Sequence, residues 1–161
     1  MLDQPIALES SDSGHSESGP SQGPAVVRFA GDSGDGIQTL GSEFTKSSAL
    51  SGHGFMTFPD FPAEIRAPAG TTFGVSAFQI QIGGDRVKTH GDTVDVLVAL
   101  NPAALKTNLA ALRPGGLLIA DRDAFAKRGL EKAGYAANPL EDGSLDGYRL
   151  EAIEAAVLTR E

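Results

Sequence analysis

Residues 26–41 read VVRFAGDSGDGIQTLG. An apolar run over residues 26–30 breaks into a loop with three glycines and two aspartates, and a helical pattern starts at Ile37. Few junctions constrain a fold more tightly. An apolar strand entering a glycine turn and leaving as a helix is the opening of an α/β unit. Ile37, Leu40, Phe44 and Leu50 roughly follow one helical face, with Gln38, Glu43 and Lys46 elsewhere. Asp35 is placed to cap the helix, and residues 51–54 (SGHG) end it. Residues 55–58 (FMTF) then read as a second strand.

The remainder repeats this alternation. Residues 59–70 (PDFPAEIRAPAG) carry three prolines, which fix φ and remove backbone donors, so a stiff exposed loop is expected there. Its length suggests a role beyond connection. Residues 71–83 alternate as a strand and turn at Gly83. Residues 94–100 (VDVLVAL) have the uniform apolarity of a strand buried on both faces of a parallel sheet. Asn101 and Pro102 then cap and start a helix, expected to stop at Pro114, Gly115 and Gly116. Residues 117–121 form another strand, residues 123–134 a helix broken around Gly129, and residues 148–153 a last strand. The expected architecture is a Rossmann-like, three-layer α/β domain with a mainly parallel sheet. Its functional loops gather at the carboxyl ends of the strands: after Ala30, after Phe58 and at Asn101.

Composition sets the limits. The chain has 161 residues, enough for one domain with its own core. Residues 1–24, rich in Ser, Gly, Pro and acids, are expected to be a disordered tail, with the folded domain at 25–161. The tail has neither the basic start nor the apolar stretch of a signal peptide. A net charge of −8 disfavours nucleic acid and anionic membranes as partners. Cysteine is absent, which removes disulfides, thiolate zinc sites and a self-contained iron–sulfur cluster. His15, His53 and His90 are scattered, and no metal site or catalytic residue is assigned.

The glycine loop fails three phosphate templates. Gly34 and Gly36 begin the dinucleotide fingerprint, but its third glycine is replaced by Thr39. Gly36 and Gly41 have P-loop spacing, but Ser42 and Glu43 follow instead of the required Lys and hydroxyl. The GDG at 34–36 opens the thiamine-diphosphate motif, yet the first asparagine of the chain is Asn101, too distant for that motif. Asp32 and Asp35 would also repel a phosphate at the helix start. The open readings are a self-capped turn, with glycines required for backbone conformation or close approach, and a contact with a cofactor edge or a partner subunit.

The segment FAGDSGDGIQTLGSEFTKSSALSGHGFMTFPDFPAEIRAPAGT, followed by GVSAFQI and DVLVALNPAALKTNL, resembles the gamma domain of 2-oxoacid:ferredoxin oxidoreductases. It is most similar to the form fused to the N-terminus of the alpha subunit in the 2-oxoglutarate:ferredoxin oxidoreductases (2-oxoglutarate synthases). The resemblance covers residues 25–160. It implies a cytoplasmic, multisubunit enzyme that oxidatively decarboxylates a 2-oxoacid, joins the acyl group to coenzyme A and passes electrons through Fe–S clusters to ferredoxin. Thiamine diphosphate with its Mg2+ would lie between the alpha pyrimidine-binding domain and the beta subunit. The gamma domain would pack on both and border coenzyme A, binding no cofactor alone, so the isolated chain would be inactive. Fused alpha subunits continue beyond the point where this sequence reads LTRE, so a truncated or separately encoded gamma domain is expected. The loops assigned to the coenzyme side or the subunit interface contain Gly31, Asp32, Gly34, Asp35, Gly36, Arg66 and Asn101. The alternative is a stand-alone Rossmann-like nucleotide- or S-adenosylmethionine-binding domain using the same strand ends.

Overall fold

The computed structural model describes residues 23–32, 34–60, 74–83 and 91–155. The disordered-tail expectation, the proline loop and Arg66 therefore fall almost wholly outside the described residues. The elements are β1 (Ala25–Asp32), α1 (Ile37–Leu50), β2 (Phe55–Asp60), β3 (Val75–Ile82), β4 (Val94–Ala99), α2 (Pro102–Asn108), β5 (Leu112–Asp121), α3 (Lys127–Ala133) and β6 (Arg149–Ile153). They build one six-stranded sheet in the order β2-β3-β1-β4-β5-β6. The pairs β1–β4, β4–β5 and β5–β6 are parallel, whereas β3 is antiparallel to both β1 and β2. Every strand but β3 thus runs one way, and the expected α/β class with a mainly parallel sheet holds. β3 can reverse because an antiparallel neighbour needs no crossover helix.

Two cores flank the sheet. On one face Ile37 and Phe44 of α1 pack on Val27, Phe29, Phe78 and Ile80. Phe29 and Phe44 meet edge-to-face at 5.3 Å. The helix comes this close because residue 41 is glycine: a Cβ there would sit 2.2 Å from the Phe78 ring. On the other face Ala104 and Leu105 of α2, with Phe125, pack on Ala30, Leu97, Ala99, Leu118 and Ala120. α3 lies against α2 on this side. These alternating partners follow from the two-residue period of a strand: odd positions of β1 face α1 and even positions face α2.

Several local expectations are corrected. α1 does not bury the four residues read as one face. Ile37 is buried, but Leu40 is 40% exposed and Leu50 is 90% exposed. Leu50 lies about 220° around the axis from Ile37 at 3.6 residues per turn, so it points away from the sheet. The helix after Asn101 ends at Asn108 rather than at Pro114, and Pro114 and its two glycines lie inside β5. They occupy a break in register, where Val94 pairs with Leu112 and Val96 with Leu117. A strand irregularity tolerates proline because the missing donor is not needed there. The Arg113–Asp95 ion pair, 2.6 Å long, spans the same break. The last helix is interrupted at Ala126, after a 3-10 turn over Arg122–Phe125, and runs through Gly129 without a break.

Candidate functional site

The strand directions bring the carboxyl ends of β1 and β4 side by side. Asp32 ends β1, Asp35 lies in the following turn, and Asn101 follows β4. The backbone joins them first: Leu100 N–H donates to Ala30 O at 2.9 Å, and Asp35 N–H to Asp32 O at 2.9 Å. Side chains complete the knot. The Asp35 carboxylate accepts from the Asp32 N–H at 2.8 Å. Asn101 donates its amide N–H groups to Asp32 at 3.0 Å and, more weakly, to Asp35 at 3.4 Å. Its carbonyl oxygen accepts from Ala104 N–H at 2.8 Å and caps α2. Lys132 of α3 brings its ammonium to 3.6 Å from Asp32.

The expected cap of α1 by Asp35 is not formed. Gly36 is the N-cap residue, with φ 71°, and so supplies no side-chain cap. Asp35 is turned the other way, onto the N–H of Asp32. The glycines of the loop also differ in what they do. Gly36 supplies the left-handed conformation that a Cβ disfavours. Gly31 permits close approach, since a Cβ there would lie 2.8 Å from Ile37 Cδ1 and 2.9 Å from Asp35 Oδ2. Gly34 has neither requirement: nothing lies within 4 Å of an added Cβ, and its φ is not positive. Of the seven residues assigned from sequence, the structure joins Gly31, Asp32, Gly34, Asp35, Gly36 and Asn101 in one cluster, while Arg66 lies outside the described residues.

Lys132 and Arg128 were not among them. They line an open cleft of about 690 Å³ with Asp123, Ala124, Ala126 and Gly129. Lys132 thus faces both this cleft and Asp32, which lies 100 positions earlier in the chain. No local pattern announces that proximity. It arises because the β5–α3–β6 connection lays α3 against α2, whose N-cap is Asn101. The cluster has two carboxylates, an amide and an ammonium, and the cleft adds a guanidinium. Arg128 and Lys132 present two cations to the cleft, with Asp123 in the same lining and Asp32 beside Lys132; among the described residues the cluster contains no nucleophile paired with a base. Among the described residues no group of three or more His, Cys, Asp or Glu side chains could hold a metal ion.

A second polar assembly crosses the opposite half of the sheet. Arg28 donates from Nε to Asn108 Oδ1 at 2.7 Å and from Nη1 to Gln79 Oε1 at 3.0 Å, and Gln79 donates to Gly91 O at 2.7 Å. Gln79 and Asn108 are buried, so these bonds satisfy groups that water does not reach. This assembly ties β1, β3 and the end of α2 together.

The domain is an α/β fold whose acidic glycine loop bonds to itself, with the Asp35 carboxylate on the Asp32 N–H, unlike the open phosphate-binding turn of a nucleotide fold. The chain belongs to the pyruvate ferredoxin/flavodoxin oxidoreductase family, whose profile matches residues 26–158. It is similar to the 2-oxoglutarate oxidoreductase subunit KorA of Mycobacterium tuberculosis, with 54% identity over 134 residues, 83% of this chain and 20% of that protein. The chain therefore spans about a fifth of the length of that relative. Its fold is also similar to a 2-oxoglutarate:ferredoxin oxidoreductase from Magnetococcus marinus, solved with 2-oxoglutarate, coenzyme A and succinyl-CoA bound. The TM-score is 0.65 at 26% identity, covering 85% of this chain and 21% of that one. The gamma subunit of a keto/oxoacid ferredoxin oxidoreductase from Geobacter sulfurreducens shares the fold, with a TM-score of 0.55 at 21% identity, covering 81% of this chain and 61% of that one. These likenesses support the oxidoreductase reading over a stand-alone nucleotide- or S-adenosylmethionine-binding domain. No helix among the described residues is long and apolar enough to cross a membrane.

Proposed function

We propose that this chain is the gamma-type accessory part of a cytoplasmic 2-oxoglutarate:ferredoxin oxidoreductase that forms an acyl-coenzyme A product. The observation that carries this reading is the 54% identity to a 2-oxoglutarate oxidoreductase subunit over most of the chain. The residues present do not fit thiamine diphosphate with Mg2+ or an Fe–S cluster. There is no cysteine in the sequence. The Asp35 carboxylate is held by the Asp32 N–H, and the Asn101 carbonyl is directed at Ala104 N–H rather than outward to a metal. Those groups belong to an alpha pyrimidine-binding domain and a beta subunit, with ferredoxin taking the electrons. Coenzyme A fits better. Arg128 and Lys132 offer two cations beside an open cleft, able to meet a phosphate if Lys132 turns from Asp32 and the group stays clear of Asp123. The glycine loop and Asn101 hold that edge rigid, so that a bound chain end would be oriented rather than merely attracted.

The test uses the complete oxidoreductase containing this chain, assayed for 2-oxoglutarate- and coenzyme A-dependent reduction of a viologen dye. Lys132→Glu should raise the KM for coenzyme A by roughly tenfold, the effect of losing one charge-assisted contact, with kcat nearly unchanged. An unchanged KM with the complex intact removes Lys132 from the coenzyme side. Dye reduction by the complete enzyme that does not depend on 2-oxoglutarate, or turnover by the isolated chain, overturns the functional reading itself.

A further inference from the structure

The sheet has two edges, and they are built differently. β6 is blunted by charge: Arg149 and Glu151 are exposed on the strand, and Arg122 pairs with Glu154 at 3.7 Å beyond its end. β2 lacks this protection. Residues 47–59 contain no Asp, Glu, Lys or Arg, and neither do residues 67–84, which include its neighbour β3. Three of the large apolar side chains exposed among the described residues lie on β2: Phe55 is 41% exposed, Met56 38% and Phe58 46%. Met56 and Phe58 stand in register with Gln81 and Gln79, on the face where α2 packs over β1, β3 and β4. Phe55 is in register with Ile82, on the α1 face.

Among the described residues β2 has one strand neighbour, β3. Gly83 N–H donates to Gly54 O at 3.0 Å, and these two residues continue the β2–β3 register. Alternation along an antiparallel strand then turns the peptide groups of Met56 and Phe58 toward β3 and those of Phe55, Thr57 and Pro59 outward. Pro59 fits its position because the N–H it lacks is one that β3 does not use. We propose that β2 pairs antiparallel with β2 of a second copy across a two-fold axis at Thr57. Phe55 then lies opposite Pro59, and Met56 opposite Phe58, a thioether against a ring. Thr57 exchanges both its bonds with its counterpart, and Phe55 N–H donates to the Pro59 carbonyl, for about four N–H···O bonds in all. A second copy suits this edge better than a charged partner strand. With a net charge of −8, two copies repel over most of their surface and can meet where neither is charged. Each offers the other the same apolar row. The pairing uses up the open edge of both, and the charges on β6 keep it from extending, so a closed dimer forms rather than a filament. So short a ladder makes a small interface, and the dimer is concentration-dependent.

The test follows the full chain by sedimentation over a range of concentrations, where a monomer–dimer equilibrium is expected. Thr57→Pro removes an outward donor that β3 does not use. It should weaken dimerisation roughly tenfold or more, without lowering the melting temperature of the dilute monomer. Phe58→Lys sets a charge in the apolar row of each copy and should do the same, which covers the case that the proline variant does not fold. In hydrogen exchange the amides of Phe55 and Thr57 should slow about tenfold from dilute to concentrated chain, whereas that of Glu151 on β6 should not change. The sequence has no native cysteine, so Thr57→Cys should give a disulfide-linked dimer under mild oxidation and Glu151→Cys should not. A monomer at every concentration overturns the proposal, as does a dimer that Thr57→Pro and Phe58→Lys both leave intact. Slow exchange of Phe55 and Thr57 in the dilute monomer overturns it too, since another part of the chain would then hold the edge. Protection of these two amides in the complete oxidoreductase, absent from the concentrated chain, would give the edge to a strand of another subunit and overturn it likewise.

Discussion

Asn101 uses both ends of its amide, and that double use makes it the most informative residue to change. Its oxygen caps α2 while its nitrogen holds Asp32 and Asp35. Asn101→Ala loses both and should cost about 1–2 kcal/mol in a denaturant titration, at the upper end for a lost cap. Asn101→Asp keeps a cap oxygen but sets a third carboxylate against two others. Repulsion among the three carboxylates should make this variant less stable than the parent at neutral pH, by a margin that shrinks as added salt screens the charges. A melting-temperature difference that is the same at low and at high salt would count against the geometry. Gly36→Ala should cost about 1–2 kcal/mol for its left-handed backbone. Gly34→Ala should be neutral within the error of the same titration, because its added Cβ meets nothing.

At the scale of elements, α1 and β3 depend on one close approach. Gly41→Val would drive two methyl groups into the Phe78 ring and should destabilise by at least the 1–3 kcal/mol typical of overpacking. A partial rescue by Phe78→Leu would identify the ring as the obstacle; equal losses in both backgrounds would not. Ile80, fully buried under α1, should lose about 2–5 kcal/mol on truncation to alanine. The α1 start was legible from sequence because the glycines and the change of period both mark it. Its buried face was misjudged at Leu40 and Leu50 because a glycine, not an apolar side chain, faces the sheet at position 41. No hydropathy pattern registers a helix that is buried by lacking a side chain. The early end of α2 was likewise missed: Pro114, Gly115 and Gly116 read as helix punctuation, and only the break in register against β4 makes them part of a strand.

Over the whole molecule, order should decline from the middle of the sheet outward. β1 and β4 are hydrogen-bonded on both sides and face both cores, whereas β2 and β6 are edges. In native-state hydrogen exchange the amides of Phe29 and Leu97 should be the slowest, near the global unfolding limit, and those of Met56 and Glu151 should exchange at least tenfold faster. Uniform protection across the sheet would contradict this ordering. The same topology explains the location of the candidate site. Five strands ending at one edge collect the glycine loop and Asn101 there, and the α2–α3 packing adds Lys132.

Local sequence signals mark most of the strands and helices and the edge where the polar loops gather. Uniform apolarity marks a doubly covered strand such as β4, and glycine or proline punctuation marks where strand turns to helix; both are local consequences of backbone sterics and burial. The failed phosphate templates were equally local, since each depends on residue types at fixed spacing. Only the tertiary structure decided that β3 runs against its neighbours, that Asp35 turns from the helix to Asp32, and that Lys132 sits beside Asp32. Strand direction, side-chain hydrogen bonding across the fold and charge proximity all depend on where distant segments pack, and burial energy, not local propensity, sets that packing.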